Sequence, residues 1–349
     1  MKKIAKSKLE ELWGRLAAGR DLFLPVEQDS VVNFALWQEG SRVNLAAVNS
    51  LLPPKDLLFP QSEKIFSYTR KDGELSFQEA QGGGSQVVFG IRPCDVRSVE
   101  LLDPVFFKEP EDAFYKKRRE QTTLVSIGCL KPDTTCFCTA FGIQPLDARG
   151  ADMMLYDMGT AYLVSPRTDK GEKLAEEMGD LLEDASAAEE EGLKQQQEVA
   201  ATNSEDLNRG VEVEGVFEKL NDMFDHCIWD KFYRRCLGCG TCTYLCPTCH
   251  CFDIQDDGSL EQGLRFRCWD SCMYEDYTHM GHGHNPRPSR RERVRNRFMH
   301  KLNYFPKDHE GAYHCVGCGR CVRKCPVNLD IMQVIKEVSK EVGGEGHGS

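Results

Sequence analysis

A mixed α/β N-terminal domain, with some α+β character, followed by a small C-terminal domain organised around cysteine is predicted by three observations. Short β-branched runs alternate with helical stretches over residues 1–168. A polar, acidic segment follows at 169–226. Residues 227–349 then carry the same four-cysteine string twice, CLGCGTCTYLCP at 236–247 and CVGCGRCVRKCP at 315–326.

The elements follow in order. MKKIAKSKLEELWGRLAAG places Ala5, Leu9, Leu12, Trp13 and Leu16 at helical spacing and predicts one amphipathic core helix. Glu10 and Glu11, with no long apolar run, argue against a signal or transit peptide and for a cytoplasmic chain. QVVFGI (86–91) and TTLVSIG (122–128) are apolar and β-branched, as buried strands are. VRSVELLDPVF, after the first of these, predicts a helix, and MMLYDM with AYLVS, joined at Gly159-Thr160, a hairpin. The glycine cluster QGGGSQ (81–86) precedes a strand, whereas a dinucleotide fingerprint follows one and opens a helix. The sequence contains no flavin or nicotinamide site, P-loop or nucleophile elbow, so no catalytic or nucleotide-binding residue is assigned.

In the middle segment Leu174, Met178, Leu181, Leu182 and Ala185 form one helical stripe, and Val216, Phe217, Leu220, Met223 and Phe224 another. Between them QQQEVAATNSEDLNRG, polar and without aromatics, predicts a mobile connection. Gly171 to Asp222 holds 16 acidic and 4 basic residues, which accounts for the whole net charge of −11. Such a block is a solvated face and argues against nucleic acid as a partner. No apolar run reaches the ~18–20 residues that span a bilayer, so no membrane partner is expected.

Seventeen cysteines without an export signal indicate metal or redox chemistry rather than disulfides, and the odd number excludes complete intramolecular pairing. Each repeated string has the form C-x2-C-x2-C-x3-C-P. Three close thiolates wrap three corners of an iron–sulfur cubane, and the fourth, in two-cluster ferredoxins, ligates the other cluster. Cys236, Cys239 and Cys242 therefore pair with Cys325, and Cys315, Cys318 and Cys321 with Cys246. The prediction is a ferredoxin-like domain with two [4Fe–4S] clusters and a long insert between the motifs. Gly238, Gly240, Gly317 and Gly319 let each loop turn. Structural zinc, which takes cysteines in well-separated pairs, suits this spacing poorly.

The insert holds Cys249, Cys251, Cys268 and Cys272, which bind a further metal or are small buried hydrophobes. Pro286 to Lys301 carries seven lysine or arginine residues and one acid. A nearby cluster's negative charge would be offset by such a tract, a reading that fits better than nucleic-acid binding, because no aromatic stacking platform accompanies it. In the N-terminal domain Cys94 and Cys129 each follow a predicted strand, with Cys136 and Cys138 close behind. If those strands are parallel neighbours, all four thiols meet at the carboxyl edge of the sheet, where a third [4Fe–4S] cluster is one reading and free thiols the other. Asp95 is either an unusual ligand or a helix N-cap.

CLGCGTCTYLCPTCHCFDI, FRCWDSC, GHNPRPSRRERVRNRFMHKLNYFP and CVGCGRCVRKCPVNLDI resemble the dicluster domain of the family that contains sulfhydrogenase β-subunits and the iron–sulfur subunit of anaerobic sulfite reductase. The iron–sulfur subunits of heterodisulfide-reductase-linked flavin oxidoreductases are similar. LLFPQSEKIF, FGIRPCDV and CFCTAFG match the N-terminal half of that family, so the resemblance covers most of the chain. It implies an electron-transfer subunit, not catalytic alone, in a cytoplasmic complex of an anaerobe. Its partners would be an FAD- and NAD(P)H-binding flavoprotein and a terminal hydrogenase, heterodisulfide-reductase-type or sulfite reductase subunit. The competing expectations are a self-sufficient iron–sulfur flavoenzyme with a substrate site in the N-terminal domain, and a zinc-dependent interaction module.

Overall fold

The computed structural model describes residues 1–80 and 83–341. Gln81 and Gly82 of the glycine cluster, and residues 342–349 of the expected C-terminal domain, lie outside the described residues. The chain divides into two compact units that alternate along the sequence. Met1–Pro54, Gly84–Glu212 and Cys315–Arg320 form the first; Lys55–Gly83, Val213–His314 and Cys321 onward form the second. The limits expected at 168/169 and 226/227 therefore do not coincide with the limits of the units.

Twelve strands are described: β1 Lys2–Ala5, β2 Asp21–Gln28, β3 Val31–Leu36, β4 Ser62–Lys71, β5 Glu74–Glu79, β6 Gln86–Ile91, β7 Thr122–Ile127, β8 Met153–Asp157, β9 Ala161–Pro166, β10 Glu183–Asp184, β11 Phe252–Gly258 and β12 Gln262–Trp269. The first unit is built on an eight-stranded sheet in the order β10-β1-β9-β8-β7-β6-β2-β3. Its centre is parallel, with β2, β6, β7 and β8 running together. The predicted hairpin appears as the antiparallel pair β8–β9. Every residue of β6 is buried, which is why Val87 to Ile91 read as a run without a polar side chain.

Five helices accompany this sheet: α1 Leu9–Ala17, α2 Pro93–Phe106, α3 Ala113–Gln121, α4 Asp169–Met178 and α5 Ala187–Thr202. Leu9, Leu12 and Leu16 of α1 and Leu174 and Met178 of α4 pack into one core with Leu22, Val87, Phe89, Val125 and Leu155. Three expectations are corrected. Ala5 is the end of β1 and the helix starts at Leu9, because the first residues complete the sheet beside β9. The stripe from Leu174 to Ala185 is α-helical only as far as Met178; at Gly179, φ 49°, it gives way to a 3-10 turn, Gly179–Leu181, and the chain returns to the sheet as β10. Much of the polar stretch expected to be a mobile connection lies in α5, which is started by a capping box between Ser186 and Glu189 and filled with good helix formers.

The second unit holds a four-stranded antiparallel sheet in the order β11-β12-β4-β5. Helices Ile228–Tyr233, Arg290–Met299 and Ile331–Lys340 bury Trp229, Val294, Phe298, Ile335 and Val338, so apolar burial contributes here as well. In the second stripe Val216, Phe217 and Leu220 lie on the helix Val216–Asn221, while Met223 and Phe224 follow its end. The basic tract becomes helix Arg290–Met299, opened by a capping box between Ser289 and Glu292 and extended by a π-helical turn, His300–Tyr304. Among the described residues no helix is long and apolar enough to cross a membrane.

Candidate metal centres

In the second unit, Cys236, Cys239, Cys242 and Cys325 line a single cavity. It is walled by Leu237, Met273, Val294, Phe298 and Leu329, with the guanidinium-bearing Arg297 beside them. These are the four cysteines that the ferredoxin spacing groups together. The turn that carries them needs left-handed backbone at Gly238 and Gly240, at φ 72° and 73°. A Cβ on Gly240 would also stand 2.6 Å from the Tyr274 hydroxyl oxygen, so alanine there is disfavoured twice. The Gly238 N–H donates to Cys236 Sγ at 3.3 Å.

The electrostatics of this cavity suit an anion. Burial raises the Cys236 and Cys242 thiols, with Arg290 and Arg297 respectively opposing that rise. The hydroxyl of Thr241, 3.3 Å from Cys239 Sγ, lowers that thiol instead. Arg297 is 4% exposed; one of its Nη atoms donates to the Cys242 carbonyl at 3.3 Å, while its Nε has no hydrogen-bond partner. Burial disfavours its charge, but the sulfurs of Cys242, Cys321, Cys249 and Cys246 outweigh this and hold its pKa well above the ordinary value. A buried cation with an unused donor, facing four thiols, fits a cluster that carries net negative charge.

The other predicted quartet is divided between the units. Cys246 and Cys321 belong to the second unit, where both act on Arg297; Cys315 and Cys318 belong to the first. Cys246 is held well below an ordinary thiol, first by a hydrogen bond from Cys249 and then, against burial, by Lys301, Thr248 and Lys55. Thr248 Oγ1 lies 3.2 Å from Cys246 Sγ and donates to the His314 carbonyl. Lys301 Nζ donates to Thr248 Oγ1 at 2.9 Å and to the His314 carbonyl at 3.0 Å. Lys55 Nζ donates to the Cys249 carbonyl and lies 4.1 Å from the centre of the Trp269 ring. Both lysines are 2% exposed. The rings of His250, His300 and His314 stand 5.2–5.5 Å apart beside them, and burial lowers His250 to about 4 and His300 to about 3. The sequence reading did not single out Lys55, the individual role of Lys301 or this histidine group. The only signal present was the basic tract that contains Lys301.

The insert cysteines do not meet as one set of four. Cys249 pairs with Cys246, and Cys251 with Cys272 and Tyr277. Cys268 lies on β12 opposite Asp253, with Asp253 and Asp270 as its charged neighbours. Strand geometry separates it, because β12 ends before the chain turns back to Cys272. Among the described residues no three His, Cys, Asp or Glu side chains are grouped tightly enough for a single ion.

In the first unit, Cys94, Cys129, Cys136 and Cys138 line one cavity as expected, and a fifth cysteine, Cys318, joins them. Burial raises all four, Cys136 and Cys138 to about 12, while Arg92 opposes the rise at Cys129. Asp95 is not the N-cap. It sits in the first turn of α2, whose N-cap is Arg92, and Arg320 grips its carboxylate with contacts of 2.6 and 2.8 Å.

Residues 235–329 match the 4Fe-4S dicluster domain family. Over 329 residues the chain is 32% identical to sulfhydrogenase 2 subunit beta of Pyrococcus furiosus, an alignment covering 94% of this chain and 95% of that protein. With a cysteine-lined cavity that suits an iron–sulfur cluster and similarity along nearly its whole length, the chain belongs to the sulfhydrogenase β-subunit family and is an iron–sulfur electron-transfer subunit.

Proposed function

We propose that the chain relays single electrons between an FAD- and NAD(P)H-binding flavoprotein and a terminal redox subunit of the hydrogenase, heterodisulfide-reductase or sulfite reductase type, in a cytoplasmic complex. Cys236, Cys239, Cys242 and Cys325 hold one [4Fe–4S] cluster, and Cys246, Cys315, Cys318 and Cys321 a second. The observation that carries this reading is the cavity on which the first quartet converges beside buried Arg297. A cubane bound there supplies reversible one-electron transfer. A cluster held there would have its negative charge offset by Arg297 and the Gly238 N–H, beside the apolar side chains of Met273, Val294 and Phe298. Four cysteines for a cubane would leave it no open corner, which favours a relay over a catalyst. A relative named as one subunit of a sulfhydrogenase supports a multisubunit assembly with a hydrogenase-type partner.

The test is iron and acid-labile sulfide analysis of chain purified without oxygen, followed by reduction. About eight or more of each per chain are expected, four per cluster. Dithionite is expected to reduce the chain, and NAD(P)H to do so only when the flavoprotein is added. An iron-free chain, or NAD(P)H oxidation by the chain alone, would refute the proposal.

A further inference from the structure

The geometry points to a third [4Fe–4S] cluster, held in the first unit by Cys94, Cys129, Cys136 and Cys138 and adjoining Cys318 of the second ferredoxin string. β6 and β7 are parallel neighbours, with Val88 opposite Leu124 and Ile91 opposite Ser126. Cys94 and Cys129 therefore leave the same carboxyl edge, the place where α/β sheets put their sites. Cys94 lies in the first turn of the 14-residue helix α2, and Arg92, Pro93 and Cys94 all line the cavity. The positive end of that helix dipole thus faces the cysteines. Arg92 adds a second positive group, 7% exposed, whose guanidinium is fixed by the carbonyls of Leu45, Ala47 and Gly128. No carboxylate or imidazole is among the residues lining the cavity. The Asp95 carboxylate beside Cys94 opposes these positive groups but is itself paired with Arg320, and sulfur ligands in such surroundings suit an iron–sulfur core.

The loop bearing Cys136 and Cys138 is held from both sides. Asp133 accepts from the Thr135 N–H and hydroxyl, and the Phe137 N–H donates to the Gly317 carbonyl at 2.8 Å. Gly317 and Gly319 have φ of 59° and 76°, and a Cβ on either would come within 2.5 Å of the backbone of this loop, at Phe137 and Thr135. Asn49 Nδ2 donates to the Cys318 carbonyl at 2.8 Å and lies 3.9 Å from Cys136 Sγ. Cys318 is assigned by its string to the second cluster, so the four remaining thiols are the ligands of the third. Because Cys318 lines this cavity within the first unit, the N-terminal centre would adjoin a thiol assigned to the relay. One electron enters and one leaves, with no bond made or broken.

The assignment rests on the relay reading only for the role of Cys318, and iron analysis separates the two. Full-length chain, purified without oxygen, is expected to hold about twelve iron and twelve sulfide, four per cluster. Cys94→Ala and Cys138→Ala are each expected to lose about a third of both, with the spectrum of the remaining two clusters retained, while Cys251→Ala keeps all of them. No iron at all defeats the relay reading together with this one. About eight in the wild type, full iron in either variant, or one zinc in place of the missing iron overturns the third cluster and leaves the relay standing. If either variant does not fold, the wild-type iron, sulfide and zinc values decide on their own.

Discussion

Replacing Arg320 by methionine tests whether a buried ion pair anchors the second ferredoxin string to the N-terminal helix. The Arg320 and Asp95 side chains are 1% and 2% exposed and meet through two contacts, of 2.6 and 2.8 Å. Arg320 Nε also donates to the Ser50 carbonyl at 3.0 Å, and one Nη to the Ser50 hydroxyl at 3.2 Å. Removing one partner of such a pair leaves an uncompensated buried charge and costs roughly 3–5 kcal/mol. For a unit of this size each kcal/mol lowers the melting temperature by about 2–4 °C, so Arg320→Met is expected to melt roughly 6–20 °C lower. Replacing both residues, as Arg320→Met with Asp95→Leu, removes the stranded carboxylate and is expected to recover at least half of that loss. The assay is anaerobic thermal unfolding followed by circular dichroism and cluster absorbance. A single variant melting within about 2 °C of the wild type, or a double variant less stable than the single, would refute the reasoning.

Lys55→Met is expected to lower the potential of the cluster that includes Cys246: burial lowers the Lys55 pKa, the sulfurs of Cys249 and Cys246 oppose that, and an ammonium so held favours the more negative, reduced state. The shift should be on the order of 60–120 mV, one to two powers of ten in the reduction equilibrium, with Lys55→Arg close to wild type. An equal shift in every cluster, measured by redox titration with electron paramagnetic resonance, counts against it. Cys251 is lowered to about 6 by hydrogen bonds from Cys272 and Tyr277, whereas burial raises Cys136 and Cys138 to about 12. Above about pH 6 the thiolate of Cys251 predominates, so in iron-depleted chain at pH 7.5 iodoacetamide should modify Cys251 well before Cys136 or Cys138. Equal rates by peptide mass spectrometry sink that ranking.

Much of the first unit could be read along the chain. β6 and β7 are marked by short apolar, β-branched runs, and the β8–β9 hairpin by its glycine turn, because both signals are local. The start of α5 is local as well, a capping box between Ser186 and Glu189, whereas the polar composition further along the helix reads as a connection. The serial division at 168/169 and 226/227 failed to anticipate the units because their ties are non-local. β4 pairs with β12 nearly two hundred residues away, through Phe66 and Arg265 among others, and Asp95 pairs with Arg320. No window of sequence contains both partners of either contact.

By itself the sequence pointed to an iron–sulfur protein and set Cys236, Cys239 and Cys242 together, since close thiolate spacing suits a cubane whatever surrounds it, with Cys325 added by the ferredoxin rule. Only the tertiary structure decided what stands around those sulfurs. It places Lys55 and Lys301 beside Cys246, leaves Arg297 with an unused donor at the first cavity, separates Cys268 from Cys272, and turns Cys318 toward the N-terminal cysteines. Charge and burial act through space, so the groups that set a cluster's potential are neighbours in the fold and strangers in the chain.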